Sequence, residues 1–271
     1  MSSPDREGRL ALRIAGFAAG VAAGYGLDVA RAQLQSRFYP HYWNTHPYPE
    51  GPEPRSKGLP APVTMHVVGD SAAAGVGPGF IDPRKGYVGL VEKRLENLAG
   101  RRVRTSNLAI PGASSWLLME HQLPRFRALR ERVGPADVTL CIIGANDIAG
   151  REYTLDGFIW TAERLYAQLP SGTVVGTIPS FGFDLVNRRV TDANAVIRAL
   201  AARHDLELAD LFAITSALDL RSYLARTGGD FFHPNAAGYR LWTHAIWPAV
   251  RRAYLRQGRT QTRPFPANTS L

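Results

Sequence analysis

Residues 63–258 predict an α/β fold, a three-layer sandwich around a parallel, flavodoxin-like sheet of about five strands. Two observations carry this. Short apolar runs of strand length alternate with longer stretches whose apolar residues recur at helical spacing. Strand–helix alternation with right-handed crossovers makes neighbouring strands parallel and covers both faces of the sheet.

The elements follow in chain order. Apolar runs at 65–68, 103–108, 138–143, 173–178 and 206–208 read as buried strands. Between them lie four amphipathic stripes: Tyr87, Val88, Val91, Leu95 and Leu98; Phe158, Ala162, Leu165 and Leu169; Val196, Ile197, Leu200 and Ala201; Tyr239, Trp242, Ala245 and Ile246. A chain of 271 residues is long enough for one substantial core. Its ordinary composition excludes disordered and collagen-like classes. The single cysteine, Cys141, lies in the apolar run "LCIIG" and excludes a disulfide framework; it reads as a buried thiol packed as a small hydrophobe.

Upstream, residues 1–32 open with Arg6, Arg9 and Arg13 and then turn apolar. The stretch 14–27 suits a signal peptide, and 10–32 is just long enough for a membrane anchor, with Ala30-Arg31-Ala32 as a cleavage site. Gly16, Gly20 and Gly24 fall four apart, on one helix face. These features predict an exported or membrane-anchored protein associated with the membrane through residues 10–32. The alternative is a cytoplasmic chain with this helix lying on the domain. Residues 33–62, rich in Pro and aromatics, read as a semi-stiff linker whose His41 and His46 lack further ligands at metal-binding spacing. Residues 259–271 read as a frayed tail.

The net charge of +9 is carried almost wholly by arginine, since Lys57, Lys85 and Lys93 are the only lysines. The arginines are scattered, with no basic stripe or reader motif, which argues against a nucleic-acid partner. They read as solvated helix faces, with an anionic envelope surface as a secondary partner.

The chemistry gathers at strand ends, where ligands bind in open parallel sheets. Gly69-Asp70-Ser71 closes the first predicted strand, the stretch from Asn107 to Gly112 and Ala113 the second, and Gly144-Ala-Asn146-Asp147 the third. A late cluster, Asp230-Phe-Phe-His233-Pro234, needs only a modest loop to reach the same rim. A serine hydroxyl is a weak nucleophile until a base takes its proton, a task for His233. Asp230, three residues earlier, suits the second ring nitrogen. The backbone N–H groups of Ser71 and Gly112 and the side-chain amide of Asn146 are candidate oxyanion donors. Ala72, Ala73 and Gly75 keep the approach to Ser71 open. Asp70, Asn107 and Asp147 read as supporting residues that brace turns.

Together these blocks, "GDS", "NLAIPGAS", "GAND" and "DFFHP", resemble the SGNH (GDSL-like) hydrolase family over residues 66–239. The resemblance implies a Ser71–His233–Asp230 triad, with Gly112 and Asn146 completing the oxyanion hole. Ala72 stands where the family's nickname places leucine. No G-x-S-x-G elbow occurs, which argues against the larger α/β-hydrolase fold. The leading expectation is a serine esterase working through an acyl-enzyme with no metal or organic cofactor, on a small-molecule, lipid or glycan ester. An O-acetyl esterase or acyltransferase of envelope glycans is the alternative. A non-catalytic nucleotide- or phosphate-binding module is a weaker one, since no G-x-x-x-x-G-K-[ST] is present. Trp116, Leu117, Phe181, Phe183, Phe231 and Phe232 flank the blocks and suggest an apolar acyl pocket. His66, His121, His204 and His244 read as surface or satisfied core histidines.

Overall fold

The computed structural model describes residues 4–45, 61–77, 82–182 and 184–261, with side chains of the first segment from residue 22 onward. The element order is α1 (Pro4–Thr45), β1 (Val63–Gly69), α2 (Ser71–Ala74), α3 (Tyr87–Ala99), β2 (Val103–Asn107), α4 (Ser115–Leu117) and α5 (Leu123–Val133). It continues through β3 (Val138–Ile142), α6 (Ala145–Ala149), α7 (Leu155–Tyr166), β4 (Val174–Gly176) and α8 (Asp184–Arg203). The chain closes with β5 (Glu207–Ala209), α9 (Leu211–Ser216), α10 (Leu220–Leu224) and α11 (Ala236–Gln261).

The five strands form one sheet in the order β2-β1-β3-β4-β5, every pair parallel. The strand order reverses between β1 and β3, so a crevice opens beyond their carboxyl ends. Alternation along β1 divides the core. Val63, Met65 and Val67 face Tyr87, Val91 and Leu95 of α3 and Tyr239 and Ile246 of α11. On the other face, Val68 joins Phe126 of α5, Leu165 of α7 and Ile197 of α8. Cys141 is fully buried there, and burial pushes its thiol up to about 12.

The predicted strands all form, with small shifts of their ends. The run 173–178 pairs only over Val174–Gly176, because side chains take over the backbone beyond. The Asn194 carboxamide accepts from the Ile178 N–H at 2.7 Å and donates to its carbonyl at 2.9 Å.

The amino terminus departs from expectation. Helix α1 passes Ala32 without a break and runs to Thr45, so the expected linker begins as helix. Tertiary contacts explain it: Tyr39 and Trp43, four apart, bury themselves against Ala72–Ala74, and the Trp43 indole N–H donates to the Ala74 carbonyl at 2.9 Å. Gln35 binds both backbone groups of Gly77. Residues 46–60 of the linker, His46 among them, lie outside the described residues. Likewise 259–261 belong to α11, and 262–271 lie outside. Among the described residues no helix is long and apolar enough to cross a membrane.

Candidate active site

Ser71 stands where β1 passes into the single turn of α2. Gly69 closes the strand in a space that admits no side chain: a Cβ would lie 2.7 Å from the Ala73 Cβ and 2.8 Å from the Ile142 carbonyl oxygen. Asp70 caps the turn, its Oδ1 accepting from the Ala72 N–H at 2.9 Å. Burial pushes the Asp70 carboxyl up to about 6, against the Ala72 bond and the nearby His233, which pull it down.

His233 comes from the other end of the domain. Its Nε2 lies 2.9 Å from Ser71 Oγ, and its Nδ1 lies 2.7 Å from Asp230 Oδ2. The second carboxylate oxygen of Asp230 accepts from the backbone N–H groups of Phe232 and His233, both at 3.0 Å. Burial works against the Asp230 charge, but the His233 ring and these two N–H groups together hold its carboxyl below the ordinary range. The side chains of His233 and Asp230 are only 14% and 9% exposed, so their bonds are shielded from water. Serine, imidazole and carboxylate are thus brought into one line.

The two remaining strand ends meet them. Gly112 takes a φ of +80°, a conformation that glycine adopts without strain, and nothing lies within 4 Å of where its Cβ would stand. Asn146, in the first turn of α6, donates through Nδ2 to the Ala113 carbonyl at 2.9 Å. A carboxamide nitrogen carries two hydrogens, so a second N–H remains for a ligand oxygen. Ser71, Gly112, Asn146, Asp230 and His233 all line one cleft of about 920 Å³.

The expected supporting residues brace these turns. Asn107 donates to the Ala73 carbonyl at 2.8 Å and accepts from the Ala109 N–H at 3.0 Å, joining the Ser71 turn to the glycine loop. Asp147 accepts from the Ser115 N–H at 2.9 Å and from its hydroxyl at 3.1 Å, tying the asparagine turn to the same loop. Burial raises the Asp147 carboxyl, and the Ser115 bonds offset part of that rise.

Of the flanking aromatics, Phe181 and Phe232 stack at 5.5 Å and line a small pocket beside Ser71 with Ile143 and Ile178. Trp116 and Leu117 are instead exposed, Phe231 stacks on Tyr25 of α1, and Phe183 lies outside the described residues. His121 and His244 are exposed, as is His41 on α1. His66 corrects its expectation: it is buried against Phe126 with neither ring nitrogen hydrogen-bonded. Burial lowers its pKa to about 4.

Sequence reasoning missed three carboxamides. Gln122 receives the Gly69 N–H at 2.9 Å and donates to the Gly69 carbonyl at 2.8 Å, two residues before Ser71. Asn194 does the same at Ile178, and Gln35 at Gly77. No spacing rule announces such residues, because their partners are backbone atoms distant in the chain. Helix α1 was missed too as a wall of the cleft, to which it contributes Val29, Ala32, Gln33 and Arg37.

A parallel α/β sandwich whose serine, glycine, asparagine and histidine arrive from separate blocks at one rim falls in the SGNH class of hydrolases. The chain belongs to the GDSL-like Lipase/Acylhydrolase family, which it matches over residues 67–241, and it is a carboxylic ester hydrolase. It is 27% identical over 281 residues to a GDSL-like esterase of Mycobacterium tuberculosis, covering 92% of this chain and 84% of that one. Among solved structures, an acetylxylan esterase from Geobacillus stearothermophilus superposes with a TM-score of 0.55 at 21% identity, covering 72% of this chain and 93% of its own. A lipase/acylhydrolase from Enterococcus faecalis gives 0.52 at 23% identity, covering 72% and 96%. At these identities the likeness is one of fold.

Proposed function

We propose that this chain hydrolyses carboxylic esters of short acyl groups through an acyl-enzyme on Ser71. The alignment of Ser71 Oγ, the His233 ring and the Asp230 carboxylate at 2.9 and 2.7 Å carries the reading. His233 takes the hydroxyl proton as Oγ attacks the ester carbonyl, and Asp230 stabilises the imidazolium. The N–H groups of Ser71 and Gly112 and the free N–H of Asn146 receive the oxyanion. His233 then protonates the leaving alcohol, and a water activated by the same ring releases the acid and restores Ser71. The pocket lined by Phe181, Phe232, Ile143 and Ile178 measures about 20 Å³, little more than one water needs, which supports an acetyl group.

That pocket beside an open cleft also favours a second reading, an O-acetyl esterase or acyltransferase of envelope glycans. The cleft would take the bulky alcohol. Ser71→Ala is expected to abolish hydrolysis of a short-chain aryl ester and stoichiometric labelling by a fluorophosphonate. Asn146→Ala is expected to lower kcat by about 10²–10³. Unchanged turnover in Ser71→Ala would refute the acyl-enzyme. Faster release from long-acyl lipid than from acetylated sugar would remove both the short-acyl preference and the glycan reading.

A further inference from the structure

Helix α1 lies outside the segment that matches the family, which begins at residue 67. Yet α1 grips both segments that carry the proposed triad. At the nucleophile turn, Gln35 bonds Gly77 in both directions, at 2.8 and 2.9 Å, and Trp43 reaches the Ala74 carbonyl. At the acid–base loop, the Asp28 carboxylate accepts from the Gly229 N–H at 2.8 Å, across 201 residues of chain. The approach is close: a Cβ on Gly229 would stand 2.8 Å from that carboxylate and 3.5 Å from the Gly24 carbonyl oxygen. Two residues on, Phe231 is held at a φ of +54°, unfavourable for a bulky side chain, and its ring stacks on Tyr25 of the same helix. Such a conformation persists only where surrounding contacts impose it.

We propose that Asp28 is a positioning residue for the acid–base pair. By holding Gly229 it sets the loop 228–234 so that Asp230 and His233 meet Ser71, and α1 becomes a working part of the site. The inference rests on the triad reading above and is tested separately from it. Asp28→Ala is expected to lower kcat on a short-chain aryl ester by about tenfold, counted per site titrated with fluorophosphonate, with KM within about twofold. Asp28→Asn keeps an oxygen that accepts from the Gly229 N–H and is expected to restore kcat to within about threefold of the parent. A helix that merely stabilised the fold would reduce the number of titratable sites and leave kcat per site unchanged.

Unchanged kcat per site in Asp28→Ala, or an Asp28→Asn as slow as the alanine variant, would overturn the proposal. Should Asp28→Ala not fold, Tyr25→Leu removes the ring on Phe231. A kcat lowered by about threefold then supports the proposal, and an unchanged one overturns it. Ser71→Ala assayed alongside separates the two failures: turnover there sinks the triad, while an inert Ser71→Ala beside a fully active Asp28→Ala sinks only the role of Asp28.

Discussion

The turn that carries Ser71 and the loop that carries Asp230 and His233 supply the two halves of the proposed proton-transfer pair, yet they are held in different ways. Residues 69–76 grow directly from β1, an interior strand of the sheet, and Ser71, Ala73 and Ala74 are buried. Gln122 and Asn107 bind backbone on either side of the serine. Residues 228–234 lie outside the sheet. Their order comes from the Asp230 carboxylate, the Tyr223 hydroxyl bonded to the Phe231 carbonyl at 3.0 Å, an isolated bridge from Thr227 to Pro234, and Asp28. The position of Ser71 is therefore coupled to the stability of the core, and that of His233 to a few local polar and aromatic contacts. Damage to the first should appear as unfolding, and damage to the second as lost rate in a folded protein.

The largest expected effect lies on the loop side. Asp230→Asn keeps a carbonyl oxygen for the Phe232 and His233 N–H groups but loses the charge that stabilises imidazolium. It is expected to lower kcat by about 10³–10⁴ while the thermal midpoint stays near that of the parent. A drop below tenfold would show that the base is oriented by something other than this carboxylate. On the turn side, Gln122→Leu leaves the Gly69 N–H buried without its side-chain partner and the Gly69 carbonyl with only the Ile110 N–H, at 3.2 Å. A loss of about 3 kcal/mol in chemical denaturation is expected, with kcat per titrated site little changed. A folded, stable variant with a collapsed kcat would break the contrast between the two regions.

The smallest effect sharpens it further. His66 lies on β1, beneath the nucleophile. In the folded protein it takes a proton only near pH 4, whereas the unfolded chain takes it near 6.5, so stability falls as pH drops through that window. Against His66→Phe, the parent is expected to lose about 2 kcal/mol more between pH 7 and pH 5. Superimposable pH–stability curves for the two proteins would rule out His66 as the source of that acid sensitivity.

Much of this site was legible because its residues sit at strand ends. A buried parallel strand is an apolar run that stops abruptly, so Asp70-Ser71, Asn107 and Asn146-Asp147 each stand out against what precedes them. Asp230 and His233 were legible as a pair because three residues separate an acid from a base within one turn. The helical fate of residues 38–45 was not, since Pro40 and the aromatics obscure any local pattern and the helix is secured by contacts to Ala72–Ala74. His66 reads like any strand residue until its neighbours are known.

What the chain determined by itself was the alternation of strand and helix and the chemical types waiting at each strand end, both properties of nearest neighbours and of hydrophobic period. Only the tertiary structure decided that Gln35, Gln122 and Asn194 would hold the backbone around the site, and that α1 would wall the cleft. Those bonds run to main-chain atoms, which every residue carries alike, so no local pattern marks them before the chain has folded.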